Sequence, residues 1–172
     1  MDELNRISID DFQNIEKHPI WIILDDVRSM NNVGSVFRTS DAFNIEGISL
    51  CGLTPQPPHR DIHKTALGAT ESVNWRYEKD IESEILRLKK NGYKVYAVEQ
   101  THNSHDLQSL TFSGNKTALI FGNEVQGVSN KALSLCDYAI EIPQWGTKHS
   151  LNISVCVGVV LWEMVRVISP AK

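Results

Sequence analysis

The sequence alternates between short apolar runs and longer segments in which apolar residues recur every three or four positions. Apolar runs predict buried strands over residues 20–24, 45–51, 95–98, 117–121 and 138–142, and residues 72–77 are also strand-like. Helical spacing predicts helices over residues 32–43, 81–91 and 129–135, and a closing helix after residue 150. Strands separated by single helices indicate an α/β protein whose sheet is mainly parallel, with helices on both faces.

Polar residues before the apolar helical segments predict where the helices begin. Ser8 precedes a short helix, Asn31 or Asn32 precedes the next, and Ser150 precedes the last. The closing segment also has a competing interpretation, because residues 150–155 alternate as a strand would and contain β-branched residues. Its length and the Ser150 cap favour a helix.

Composition is that of an ordinary globular protein. The 172 residues are 41% hydrophobic and 22% charged, which predicts one domain over residues 1–172, with residues 1–19 as a short helical extension. The net charge of −4 argues against binding nucleic acid through overall charge. A local basic patch stays possible, so charge neither proves nor excludes an RNA partner.

Cysteine spacing and hydropathy bear on the compartment. The three cysteines, Cys51, Cys136 and Cys156, are far apart and form no C-x-x-C pair, which makes a disulfide framework and structural zinc improbable. The polar start of the chain lacks the apolar core of a signal peptide, and the longest apolar run, residues 155–161, is too short to span a bilayer. We therefore expect a soluble, cytoplasmic protein.

Three polar segments follow predicted strands and are candidates for a binding site, because ligands bind at the carboxyl ends of parallel strands. They cover residues 25–38, 122–127 and 142–152. Gly122 and Gly127 would let a backbone turn approach a ligand, although a tight turn capped by Glu124 explains the same residues. Neither a P-loop nor a G-x-G-x-x-G sequence is present, which disfavours nucleoside triphosphate and dinucleotide binding.

Other kinds of active site have little support. Ser150 lacks the G-x-S-x-G sequence of a nucleophile elbow, and the adjacent His149 does not by itself make a triad. The histidines show no H-E-x-x-H pattern, so no metal site is predicted, and His59, His63, His102 and His105 are expected in loops. Taken singly, Arg38 fits a surface arginine and Asn32 a helix cap.

Three segments together resemble the SpoU family, also called the TrmH family, of the SPOUT methyltransferase superfamily. Residues 32–40, NVGSVFRTS, are similar to its N-x-G-x-x-x-R motif, and residues 120–128, IFGNEVQGV, are similar to its F-G-x-E-x-x-G motif. Residues 142–155 resemble its I-P…S-L-N-x-S motif, and residues 64–69, KTALGA, resemble a common connecting segment. The resemblance spans residues 21–165, with the motifs in the family's order.

This resemblance implies methyl transfer from S-adenosylmethionine to a ribose 2′-hydroxyl of RNA, by a homodimer whose C-terminal part forms a deep trefoil knot. It implies that the cofactor is held mainly by backbone groups of residues in three loops: Gly122, Gly127, Ile142, Leu151 and, more weakly, Glu99. It also implies a catalytic and RNA-facing set made of Asn32, Arg38, Glu124, Ser150 and Asn152.

The most basic short segment of the chain predicts the RNA-binding surface, and the compactness of the chain bears on which RNA is bound. His59, Arg60, His63 and Lys64 would bind RNA together with Arg38, and compactness favours tRNA over ribosomal RNA. Three alternatives stay open. They are a SPOUT enzyme that methylates a base, an RNA-binding module without catalysis, and a nucleotide-binding regulatory domain with the same order of elements.

Overall fold

A computed structural model describes residues 7–110, 116–148 and 150–168 of the chain. The described strands are β1 (His18–Asp25), β2 (Ile45–Cys51), β3 (Trp75–Glu78), β4 (Lys94–Val98), β5 (His105–Asp106), β6 (Thr117–Phe121) and β7 (Tyr138–Glu141). The described helices are α1 (Ile9–Asn14), α2 (Met30–Ala42), α3 (Arg60–Ala66), α4 (Ala69–Ser72), α5 (Ile81–Lys90), α6 (Asn130–Leu135) and α7 (Ile153–Ile168). A 3-10 turn covers Leu107–Ser109.

The described strands form one seven-stranded sheet in the order β3-β2-β1-β6-β4-β7-β5. Every pairing between these strands is parallel, which confirms the predicted sheet. The carboxyl ends of the strands therefore meet at one edge of the sheet. The loops after β1, β4, β6 and β7 leave the sheet at neighbouring positions on that edge.

Helices cover both faces of the sheet, as predicted. On one face, α2, α3 and α7 pack their apolar sides on alternate residues of β1, β2 and β6. On the other face, Ile85 and Leu88 of α5 pack with Val95, Ala118 and Ile120. Residues of β6 alternate between the two cores, since Leu119 belongs to one and Ile120 to the other. A strand buried on both sides has the continuous apolar sequence that predicted it.

Helix starts were only partly predicted. Ser8 caps α1 by accepting a hydrogen bond from the Asp11 N–H at 3.1 Å, as expected. The prediction that Asn31 or Asn32 caps α2 was wrong, because α2 begins earlier and the Ser29 hydroxyl accepts from the Asn32 N–H at 3.3 Å. Asn32 therefore lies inside the first turn, with its side chain free for other contacts.

The basic segment is helical rather than a loop, which corrects the expectation for His63. His59 precedes α3, and its Nδ1 accepts a hydrogen bond from the Asp61 N–H at 3.2 Å. The prediction of strand over residues 72–77 was wrong at its start, because Ser72 ends α4 and β3 begins at Trp75. The expected loop position of His105 is also wrong, since it begins the short strand β5.

The closing segment is the helix α7, so the competing strand interpretation is excluded. Its cap is Asn152, so the prediction that Ser150 caps this helix was wrong. The Asn152 carbonyl accepts from the Cys156 N–H at 2.9 Å, and its Oδ1 accepts from the Ser154 N–H at 2.9 Å. Within the described ranges, no helix is both long and apolar enough to cross a bilayer.

Candidate functional site

A pocket of about 510 Å³ opens at the carboxyl edge of the sheet, where the three polar segments were expected to meet. Its walls come from the ends of β4, β6 and β7, from the loops that follow them and from the start of α7. Every predicted cofactor residue lines it: Glu99, Gly122, Gly127, Ile142 and Leu151. Three residues of the predicted catalytic set line it as well: Glu124, Ser150 and Asn152.

The loop after β6 is a closed turn. The Asn123 and Gly127 backbones pair with each other, with N–H to oxygen distances of 3.0 and 2.9 Å. The Asn123 Oδ1 accepts from the N–H groups of Val125 at 2.9 Å and Gln126 at 3.1 Å. These bonds fix the turn from within, so its backbone has one defined shape at the pocket.

Both glycines of this loop are required by close contacts. A Cβ on Gly122 would lie 2.1 Å from the Gly127 carbonyl carbon and 2.1 Å from the Val128 nitrogen. Gly127 has a φ of 71°, and a Cβ there would lie 2.3 Å from Glu99 Oε2. The two ends of this turn therefore approach each other, and Glu99 approaches Gly127, at separations that a Cβ would prevent.

Glu99 has a clear role in this loop. Its Oε2 accepts a hydrogen bond from the Val128 N–H at 2.9 Å, and its Oε1 accepts from the Gln100 N–H at 3.1 Å. The carboxylate thus joins the loop after β4 to the loop after β6. Glu99 helps to form the wall of the pocket by holding two loops together.

Glu124 connects the site to the start of α2. Its Oε1 accepts from the Ser29 N–H at 3.2 Å and from Asn32 Nδ2 at 3.0 Å, while Oε2 accepts from the Arg28 N–H at 3.2 Å. Partial burial opposes ionisation, but hydrogen bonds from its own backbone, Asn32, Arg28 and Ser29 outweigh it and lower the pKa of Glu124. The site therefore holds an ionised carboxylate at neutral pH.

Asn32 passes this connection on to α7. Its Oδ1 accepts a hydrogen bond from Asn152 Nδ2 at 3.3 Å, and the Asn152 Oδ1 accepts from the Ser154 hydroxyl at 2.6 Å. Residues that are 92 and 120 positions apart in sequence are thus joined through Asn32. The three segments that carry the motifs meet in one hydrogen-bonded chain, Glu124–Asn32–Asn152.

Arg38 lies outside this chain. It is exposed on α2, does not line the pocket, and has no hydrogen bond or ion pair with another described side chain. Ser150 lines the pocket and is exposed, while His149 lies outside the described residues. The structure therefore brings together Asn32, Glu124 and Asn152. It leaves Arg38, which lies on α2 like Asn32, free at the surface.

The predicted RNA-binding residues lie on one exposed side of α3. Arg60, His63 and Lys64 are three and four positions apart, and all are exposed. Helix α3 packs closely on α2, since a Cβ on Gly34 would lie 2.3 Å from the Ile62 carbonyl oxygen. This contact places α3, whose basic side is exposed, beside the helix that also carries Arg38.

Two polar residues of the site were not predicted. Asn123 Nδ2 donates to the Asp26 carbonyl at 2.8 Å, in addition to the bonds that shape its turn. Asp25 is buried, which raises the pKa of its carboxyl, although its Oδ2 accepts from the Ser129 N–H at 2.9 Å. The position of Asn123 between two turn glycines could have suggested its role. Asp25 gave no comparable indication, because its partner is 104 residues away.

The charge of the pocket limits what it can bind. Among the described residues that line it, three are carboxylates, Glu99, Glu124 and Glu141, and none is cationic. A phosphate group would be bound most strongly by positively charged side chains, which the lining residues do not supply. The pocket instead fits a ligand with an apolar part and a positive charge. No cluster of three or more possible metal ligands occurs among the described residues.

Comparison with known proteins gives consistent matches. The model of the SpoU rRNA methylase family matches residues 19–162. A tRNA (guanosine(18)-2′-O)-methyltransferase from Thermus thermophilus is 30% identical over 164 residues, which are 95% of this chain and 83% of that protein.

Solved structures agree at the level of the fold. The crystal structure of the TrmH/SpoU tRNA modifying enzyme of A. aeolicus superposes with a TM-score of 0.82 at 23% identity, covering 92% of this chain and 80% of that one. The AdoMet-bound rRNA methyltransferase from Sinorhizobium meliloti gives a TM-score of 0.81 at 26% identity. That match covers 90% of this chain and 59% of the other.

Proposed function

Because the chain belongs to the SpoU rRNA methylase family, we propose that it transfers a methyl group from S-adenosylmethionine to a ribose 2′-hydroxyl of RNA, with tRNA as the favoured substrate. The observation that carries this function is the convergence of three distant sequence motifs on one pocket, through the chain Glu124–Asn32–Asn152. The tRNA preference is supported by the name of the Thermus thermophilus relative.

The pocket fits S-adenosylmethionine in size, polarity and charge. Its volume of about 510 Å³ is within the range of small-molecule sites. Phe121, Ile142 and Leu151 offer apolar surface to an adenine ring, and the turn at residues 122–127 offers backbone groups. The three glutamates that line the pocket suit the positive charges of the sulfonium and the amino group.

S-adenosylmethionine supplies an electrophilic methyl group, so the protein must align a weak nucleophile with it. Positioning and charge stabilisation can supply most of the acceleration, and a covalent enzyme intermediate is unnecessary. Ser150 and Asn152 lie at the pocket and orient the ribose by hydrogen bonds. Glu124 and Asn32 hold the loops in place and keep Asn152 in position.

Arg38 supplies the positive charge that the pocket lacks. A guanidinium stays protonated, so it does not act as the base. Being exposed and unpaired among the described residues, it is free to bind the phosphate beside the target ribose and to stabilise the developing alkoxide. Arg60, His63 and Lys64 extend this contact along the RNA backbone.

We further propose that the protein works as a homodimer, and that its C-terminal part forms the trefoil knot implied by the family. Support for the dimer is an apolar stripe on α7, where Val155, Val159 and Trp162 are 52%, 39% and 62% exposed at helical spacing. We also propose that residues 1–172 form one domain and that the protein is cytoplasmic. The unpaired cysteines support the cytoplasmic location.

The alternatives make distinct predictions. A base-methylating enzyme would be expected to depart from the N-x-G-x-x-x-R motif, which is intact here, and an inactive module would be expected to lack one of Arg38, Glu124, Ser150 or Asn152. A nucleotide-binding regulatory domain would need groups for phosphate, whereas the described lining residues carry no positive charge.

The direct test uses labelled S-adenosylmethionine and total RNA from a strain that lacks this protein. After incubation with the purified enzyme, RNA fractions are digested and their nucleosides identified by mass spectrometry. A 2′-O-methylated nucleoside in the tRNA fraction is the expected product. A labelled base, or no labelled nucleoside in any fraction, would contradict the proposal.

A further inference from the structure

The two most exposed large hydrophobic side chains in the described part of the chain lie beside the pocket, and the reaction above uses neither of them. Val125 is 92% exposed and Trp145 is 89% exposed. Val125 lines the pocket, and Trp145 directly follows Gln144, which also lines it. They belong to two different loops, after β6 and after β7, that bound the same opening.

The exposure of Val125 is built into its turn. The Val125 N–H is held by Asn123 Oδ1 at 2.9 Å, and the Asn123–Gly127 pairing closes the loop behind it. Trp145 lies between Pro143 and Gly146, in a segment without regular structure. An exposed indole beside the mouth of a pocket offers a large, flat apolar surface to a ligand that enters there.

The chemistry of the site identifies the partner. A ribose whose 2′-hydroxyl reaches this pocket brings its nucleobase to the opening, since base and hydroxyl are attached to neighbouring carbons of the sugar. In a single-stranded RNA loop such a base is splayed out and lacks its stacking contacts. A flat aromatic side chain restores them, and it accepts any base because every base has a π-face.

We propose that Trp145, together with Val125 of the neighbouring loop, forms a subsite that binds the nucleobase of the nucleotide to be methylated. This inference rests on the proposed function and extends it from the ribose to the base. The subsite recognises a planar, uncharged surface, and so contributes to RNA affinity without contributing to its dependence on salt.

Three variants of Trp145 test the subsite. Trp145→Ala and Trp145→Leu remove the planar ring, and Trp145→Phe keeps one. We expect the KM for RNA to rise about tenfold in the Ala and Leu variants and to stay within about threefold of the wild type in the Phe variant, because stacking needs a ring rather than bulk. The kcat should change less than the KM.

Two further measurements separate stacking from other roles. The Ala variant should bind RNA with the wild-type slope of affinity against salt concentration, since no phosphate contact is lost. Its affinity for S-adenosylmethionine by calorimetry and its mass by light scattering should both match the wild type. Leu86→Ala, which removes an exposed apolar side chain on α5, is the matched control and should change no parameter.

Each contrary outcome has a defined meaning. If wild-type protein methylates no RNA, the proposed function fails, and the subsite that rests on it fails as well. If the wild type is active and the Leu variant equals the Phe variant, stacking is excluded. A loss of cofactor affinity, or a change from dimer to monomer, would assign Trp145 to the loop or to a subunit interface and overturn the subsite.

Discussion

At the scale of single residues, the site depends on one carboxylate that accepts hydrogen bonds from three directions. Glu124 receives two backbone N–H groups and one side-chain amide, all from the segment between β1 and the first turn of α2. Each of these donors faces an oxygen. A carboxylate is suited to this position because it accepts at both oxygens and donates at neither.

Replacing Glu124 by Gln should therefore weaken both the loop and the reaction. The glutamine side chain has one N–H₂ group in place of a carboxylate oxygen, and this group must face at least one of the three N–H groups that now donate to Glu124. We expect the free energy of unfolding to fall by about 1 kcal/mol, a modest value because Glu124 is largely exposed. Urea denaturation measures this change, and methyl transfer should fall with it. Glu124→Asp, which keeps both oxygens, should retain more activity, and equal loss in both variants would contradict this account.

The same residue predicts a dependence of stability on pH. Its pKa is lower in the folded protein than the usual 4.5. The stabilisation is therefore fully present above about pH 4.5 and is lost as the pH falls through the folded pKa. Urea midpoints measured from pH 7 down to pH 3 should converge for wild type and Glu124→Gln at the acid end. A constant difference across that range would show that ionisation of Glu124 does not contribute.

Arg38 should affect methyl transfer and leave cofactor binding unchanged. Because it is exposed and outside the pocket, Arg38→Ala should abolish transfer to RNA while the calorimetric affinity for S-adenosylmethionine stays within about twofold of wild type. Arg38→Lys keeps the positive charge but loses the two-pronged geometry of the guanidinium. Its methyl-transfer activity should therefore lie between those of the wild type and Arg38→Ala. Parallel loss of transfer and cofactor affinity would instead indicate a role in folding.

At the scale of helices and strands, local pattern predicted most elements correctly. The apolar runs of β1, β2, β4 and β6 were found because most of their residues are buried in the sheet. β7 was also found, although only Ile140 of its four residues is buried. β5 was missed because its two residues, His105 and Asp106, are exposed and carry no apolar pattern. The cap of α7 was misassigned because Ser150 and Asn152 are both good caps, and the sequence does not show that the helix begins at Ile153, directly after Asn152.

The candidate site was predictable in its residues but not in its connections. The motifs indicated Asn32, Glu124 and Asn152, yet the hydrogen bonds between them join residues about a hundred positions apart. Contacts between residues so far apart in sequence cannot be predicted from the local periodicity of apolar residues. The position of Arg38 outside the pocket was likewise not deducible, because it depends on the direction in which α2 packs on α3.

Helix α3 gives a prediction for RNA binding. Arg60→Ala combined with Lys64→Ala should weaken binding of tRNA and reduce the slope of log affinity against log salt by about one to two, because two phosphate contacts are lost. Filter binding at several salt concentrations measures the slope. Lys90→Ala with Lys94→Ala is the control, since these exposed lysines lie near the amino end of β4, away from the pocket. An unchanged slope in the α3 variant would exclude this helix from the RNA surface.

At the scale of the whole molecule, one side of α7 is buried and the other is exposed. One side, with Val157, Val160 and Leu161, is buried against the sheet and α2. The other side carries the exposed stripe of Val155, Val159 and Trp162. Since α7 begins at the pocket, a second subunit bound to this stripe would lie next to the cofactor site.

The proposed dimer is tested by placing a charge within the exposed stripe of α7. Val159→Glu should convert the protein to a monomer at micromolar concentration, because burying an unpaired carboxylate in the interface costs several kcal/mol. Light scattering after gel filtration gives the mass directly. Leu86→Glu adds the same charge to the exposed side of α5 and should leave the mass unchanged. A Val159→Glu protein with wild-type mass would place the subunit contact elsewhere.

The carboxylate of Glu124 also determines when two distant amides can exchange their protons with solvent. The N–H groups of Arg28 and Ser29 are held by a side chain 96 and 95 residues away, so they exchange only when the loop after β6 moves off α2. Deuterium uptake at these amides therefore reports the opening of that loop. In Glu124→Ala, uptake at residues 28 and 29 should accelerate about tenfold or more, whereas Val33, whose N–H bonds to the Ser29 carbonyl within α2, should keep its wild-type rate.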